Sequence, residues 1–88
     1  MTYKIEFTLH SKKQLKKLDK NISGMIMAYL LKNIQGSENP REKGKALIGN
    51  LKDRWRYRVG DYRIICRIED EKVIVLVLEI GNRKEIYK

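Results

Sequence analysis

Cysteine, proline and histidine each occur once in this chain of 88 residues, as Cys66, Pro40 and His10. A single thiol cannot close an internal disulfide, so packing has to hold the fold, and a reducing compartment such as the cytoplasm is the expectation. No run approaches the ~18 apolar residues of a membrane span. The opening Met-Thr-Tyr-Lys-Ile-Glu lacks the hydrophobic segment of a signal peptide. Neither membrane residence nor secretion is therefore expected. Acidic side chains are also scarce, with 11 Asp and Glu against 20 Lys and Arg, a net charge of +9 and a pI near 9.8. That imbalance leaves fold undecided but draws the chain toward nucleic acid or an acidic protein.

What is present reads as one small globular domain spanning residues 1–88, with 42% hydrophobic and 35% charged residues and neither repeats nor low-complexity segments. Tyr3, Ile5, Phe7 and Leu9 alternate with polar neighbours, which predicts a first strand with one buried face. Ser11 and Gln14 have capping-box spacing, so a helix should start at Ser11. Leu15 and Leu18 supply its narrow apolar stripe. Lys12, Lys13, Lys16, Lys17 and Lys20 cover the rest, either as a solvated face or as a binding site. After a break at Asp19 to Ser23, Ile22, Ile26, Tyr29, Leu30 and Ile34 follow helical spacing toward a stop at Gly36.

Residues 36–49, with Pro40 and Gly44, read as a loop whose Arg41, Lys43 and Lys45 could approach a bound anion. Three strands should follow, Leu51 to Val59, Tyr62 to Glu69 and Val73 to Ile80, joined by turns short enough to demand an antiparallel meander. The run from Val73 to Leu78 is apolar on both faces, which predicts a central strand buried on both sides. The fold class is α+β: an N-terminal strand, a two-helix hairpin and a three-stranded meander, with the helices on one face of the sheet.

The most informative stretch is Trp55 to Arg63. In an extended chain Trp55, Tyr57 and Val59 face one way, and Arg54, Arg56 and Arg58 the other. Gly60-Asp61 is a hairpin signal that returns the chain at Arg63. Guanidinium groups held at strand spacing repel one another, and a polyanion is the common reason to hold them there. Farther on, Arg83 and Lys84 add charge. Tyr87 reads equally as an anchor for the tail or as a stacking platform for a single-stranded base. His10, remote in sequence from the arginines, reads as a surface or capping residue, and Cys66 as a small buried hydrophobe.

The order of elements, Leu47-Ile48-Gly49, Arg58-Val-Gly-Asp-Tyr-Arg63 and the closing Ile80-Gly-Asn-Arg-Lys-Glu-Ile-Tyr87 resemble the RelE/ParE superfamily of toxins over nearly the whole chain. The tail resembles its RelE-like, mRNA-interferase branch. That resemblance implies a toxin of a type II toxin-antitoxin pair that enters the ribosomal A site and cuts messenger RNA without metal or cofactor, by attack of the ribose 2′-OH on the adjacent phosphate. It also implies an acidic, RelB-like antitoxin that wraps the toxin, and a toxin-antitoxin complex that binds operator DNA.

By the same resemblance Arg63 and Arg83 match phosphate-stabilising arginines and Tyr87 matches the tyrosine that orients the substrate. Arg56 and Arg58 fall where the RelE branch carries basic residues, often lysine. Lys12, Lys13, Lys16, Lys17, Lys45, Lys52 and Arg54 form the expected RNA-binding set. Two departures stand out: Gly81-Asn82-Arg83 replaces the Gly-His-Arg of many members, and arginines replace lysines. The general base is left open among Tyr87, Lys52, Glu85 and ribosomal groups. Two other readings stay beside this one, a ParE-like inhibitor of DNA gyrase and a toxin relic acting with its antitoxin as co-repressor.

Overall fold

A computed structural model describes residues 1–47 and 53–82. Strand β1 (Lys4–Phe7) leads into helices α1 (Leu9–Lys17) and α2 (Lys20–Asn33). A 3-10 turn at Pro40–Glu42 precedes a short β2 (Lys45–Ala46), and then come β3 (Trp55–Val59), β4 (Tyr62–Glu69) and β5 (Ile74–Asn82). The sheet has the order β1-β5-β4-β3-β2, with β1 parallel to β5 and the other neighbours antiparallel. The α+β class and the helix hairpin are as expected. The second strand is an addition, because two residues are too short to show a period-two pattern. No described helix is long and apolar enough to cross a membrane.

The helix-facing side of the sheet carries the core. Tyr57, Val59, Ile64, Cys66, Val75, Val77 and Ile80 are buried there against Ile26 and Leu30 of α2 and its C-cap residue Ile34. Helical spacing had marked those three residues, and burying each contributes roughly 1.5–3 kcal/mol. Cys66 is fully buried and free. Burial pushes its thiol well above the ordinary range, which makes it an inert packing residue.

Three local expectations are corrected. The first strand ends at Phe7, and Leu9 begins α1 with 70% of its surface exposed. Thr8 is the N-cap, accepting from the Ser11 backbone N–H at 3.1 Å. Ser11 is instead fully buried, its hydroxyl donating to Val77 O at 2.8 Å. Gln14 does not reach back, because its Oε1 accepts from Ile80 N at 2.7 Å. Both side chains bond the β5 backbone where β1 ends, Ser11 as a second donor to Val77 O beside Thr8 N and Gln14 as the acceptor for Ile80 N, tertiary bonds that outweigh the local cap.

Strand β5 is central but not buried on both faces. Val75 and Val77 are sealed, whereas Ile74, Leu76 and Leu78 are only half-buried. It also contains a bulge: Ile65 faces Glu79 but Cys66 faces Val77, which leaves Leu78 as the extra residue. Before the bulge odd-numbered residues face the core, and after it Ile80 does. The shift places Gly81, which has no side chain, opposite Arg63. Val73, expected to start the strand, instead closes the preceding turn at φ 56°, a strained conformation for a β-branched residue.

Candidate active site

The alternation expected in β3 is present. Tyr57 and Val59 enter the core, so Arg56 and Arg58 lie on the opposite face of the sheet. The Gly60-Asp61 turn, with Gly60 at φ 59°, pairs Val59 with Tyr62 and sets Arg58 directly across from Arg63. On the other side of β3, Lys45 is directly across from Arg56. Cross-strand partners share a face, so two like-charged pairs are juxtaposed where each is destabilising. A cavity of about 260 Å³ is lined by Arg56, Arg58, Arg63, Lys45, Gly44 and Tyr29, with no carboxylate among these residues.

Arg63 is the exceptional member. Only 6% of its surface is exposed, and its Nε and Nη1 are buried without a hydrogen-bond partner. A buried guanidinium lacking partners costs several kcal/mol, and an anion accepting from its planar fork would offset that cost. Arg58 is exposed and makes one long contact, Nε to Gly60 O at 3.4 Å.

The segment that carries Lys45 is seated firmly. Tyr57 donates its hydroxyl to Pro40 O at 2.6 Å, and Trp55 donates Nε1–H to Lys43 O at 2.8 Å. Directly after these anchors Gly44 adopts φ 83°, and a Cβ there would run into the Arg56 carbonyl oxygen and lie 2.7 Å from Trp55 Nε1. Only glycine allows so close an approach. Farther out, Arg41 forms a bidentate pair with Asp70, both contacts at 2.9 Å, and Tyr3 donates to the same carboxylate at 2.6 Å. The Arg41 guanidinium and the Tyr3 hydroxyl hold the Asp70 carboxyl down at about 2.

The remaining expected residues separate from this cavity. Lys12, Lys13, Lys16 and Lys17 are exposed on α1, which packs along β5, and none lines the arginine cavity. Lys16 instead borders a shallow groove between the helices, with Leu15 and Met27 in its lining. Arg54 is paired with Asp53 at 2.7 Å and lines a different cavity of about 310 Å³ beside Trp55 and Arg41. Both guanidinium groups there already have carboxylate partners, which makes it a poor anion site. Lys52, Arg83, Glu85 and Tyr87 lie outside the described residues.

His10 sits in the first turn of α1, 3.7 Å from Glu79, in keeping with a surface role. Tyr29 lines the cavity although its helical spacing had suggested only core. Its ring tilts at 55° against Tyr57 with centroids 6.3 Å apart, and burial pushes its phenol up. Nothing in the sequence distinguishes it from its core neighbours.

Comparison with known proteins gives consistent matches. The family model described as the ParE toxin of the type II toxin-antitoxin system, parDE, matches residues 5–87. The toxin RelG of Mycobacterium tuberculosis is 31% identical over 88 residues, covering 100% of this chain and 99% of that protein. The mRNA interferase toxin RelE of Escherichia coli is 28% identical over 91 residues, covering 99% of this chain and 92% of that protein. A chain in the crystal structure of the toxin-antitoxin complex RelBE2 from M. tuberculosis superposes with a TM-score of 0.84 at 28% identity, covering 94% and 93% of the two chains.

Proposed function

Because the chain belongs to the RelE/ParE family of type II toxin-antitoxin toxins, we propose that it is a ribosome-dependent endoribonuclease that cuts messenger RNA in the A site. The observation that carries this reading is Arg63, buried with two of its guanidinium nitrogens unpartnered in a cavity lined by further cations. Attack of a ribose 2′-OH on the adjacent phosphate concentrates negative charge on the non-bridging oxygens at the transition state. A guanidinium desolvated in advance stabilises that charge more strongly than a solvated one. Arg56 and Arg58 extend the clamp along the backbone, while Arg83 and Tyr87 complete the site by resemblance. Positioning by the ribosome supplies much of the remaining rate, on the order of 7 to 11 kcal/mol for well-oriented groups.

The partner follows from the same family. Net charge +9 suits an acidic antitoxin that covers the arginine face, and the similar M. tuberculosis chain was crystallised as a toxin-antitoxin complex. Operator binding by such a complex and action in the cytoplasm belong to the same proposal. The lysines of α1 are its candidate contacts with ribosomal RNA, and neutralising them should make association less dependent on salt.

Primer extension on a defined messenger, with purified toxin and with ribosomes present or withheld, tests the reading. Cuts confined to the ribosome-containing reaction are expected. Intact messenger in both reactions would refute it. The second reading, inhibition of DNA gyrase, is favoured by one observation, the ParE description of the matching family model. Its expected signature is inhibited supercoiling with uncut messenger.

A further inference from the structure

We propose that Lys45 is the proton donor to the leaving 5′-oxygen, an inference that rests on the ribonuclease reading. Cleavage forms a bond between the 2′-oxygen and phosphorus and breaks the bond from phosphorus to the 5′-oxygen. The 2′-hydroxyl proton passes to the general base, and the departing alkoxide has to gain a proton as it leaves. The products are a 2′,3′-cyclic phosphate and a 5′-hydroxyl end. A group able to give up a proton must therefore stand beside the phosphate clamp.

Among the described residues lining the cavity, Lys45 is the one suited to that task. Arg56, Arg58 and Arg63 hold their protons at any working pH, so they stabilise charge without transferring a proton. Burial pushes the Tyr29 phenol up, which makes it a weaker donor than a solvated tyrosine. The lysine ammonium has three protons in rotatable directions. Its backbone is held on β2 directly across from Arg56, so its side chain shares the arginine face.

The placement does not depend on the flexible side chain alone. The Gly44 contact with β3, the Trp55 bond to Lys43 O and a Leu47 N to Arg54 O bond of 3.1 Å bracket Lys45 on both sides. Because Lys45 is exposed, replacing it leaves the core untouched. After transfer the neutral amine recovers its proton from water.

The test uses messenger carrying either the ordinary linkage or a bridging 5′-phosphorothiolate at the cut position, on programmed ribosomes under single-turnover conditions. A thiolate leaves without protonation, so it removes the need for the donor. Lys45→Met should cut the ordinary linkage on the order of 10²-fold more slowly than wild type or worse, yet cut the sulfur linkage at nearly the wild-type rate. Lys45→Arg, which keeps the charge, should behave like Lys45→Met on the ordinary linkage. Equal slowing of Lys45→Met on both linkages, or a wild-type rate for Lys45→Arg, would overturn the donor role and leave the ribonuclease reading standing. Failure of the wild-type protein to cut either messenger would overturn both.

Discussion

Replacing Arg63 with methionine should separate the stability of this protein from its activity. The native guanidinium is 6% exposed, and two of its nitrogens are buried without partners. An unsatisfied buried donor costs about 1–3 kcal/mol, more when charged, and Arg58 sits directly opposite with the same sign. Methionine has a similar unbranched length and removes the buried charge. After allowance for lost packing by the arginine stem, a gain of about 1–2 kcal/mol is expected. For a domain of this size that corresponds to a rise in Tm of about 4–8 °C per kcal/mol.

Calorimetry of the isolated toxin in a buffer of low anion content reads this directly. Titration with inorganic phosphate supplies the second half of the experiment. Phosphate should raise the wild-type Tm more than that of Arg63→Met, because an anion that binds only the folded state stabilises it by mass action. Cleavage should fall in the same variant. A loss of 2 kcal/mol or more in Arg63→Met, with an unchanged response to phosphate, would show that Arg63 is structurally paired and would refute the argument.

Further tests address the scaffold. Gly44→Ala is expected to destabilise by about 2–3 kcal/mol and to detach Lys45 from the cavity, since φ 83° and the Arg56 carbonyl both exclude a Cβ; urea unfolding and cleavage should decline together. Ser11→Ala should cost about 1 kcal/mol by removing a buried hydroxyl bonded to Val77 O, and faster hydrogen exchange along β5 would locate the damage. Asp70→Asn weakens the clamp among Tyr3, Arg41 and Asp70. Because the folded carboxyl is held down at about 2, below its ordinary 3.8, its stabilisation is complete above the unfolded value and fades as pH falls from about 4 toward 2. The wild-type advantage over Asp70→Asn, about 1 kcal/mol or less for so exposed an ion pair, should shrink across that window; an advantage that grows on acidification would contradict the assignment.

Period and composition were sufficient for part of this protein. The Trp55 to Arg63 alternation determined which side chains enter the core and which form the cationic face, because a strand offers only two faces. The 3.6-residue spacing of Ile26, Leu30 and Ile34 likewise determined the buried stripe of α2. The charge excess and the shared motifs pointed to the family without reference to any contact. Other features depended on neighbours distant in the chain. Ser11 and Gln14 look like a local cap, but β5 offers Gln14 the Ile80 N–H and offers Ser11 the Val77 carbonyl, which already accepts from Thr8 N. The bulge at Leu78 exists only in the pairing of β4 with β5, yet it sends Ile80 to the core and leaves Gly81 beside Arg63. Lys45 and Tyr29 join the arginines because a two-residue strand and a helix converge on the cavity from separate parts of the chain. Sequence spacing reports the faces of one element, whereas burial of a charge and the company it keeps arise only when several elements meet.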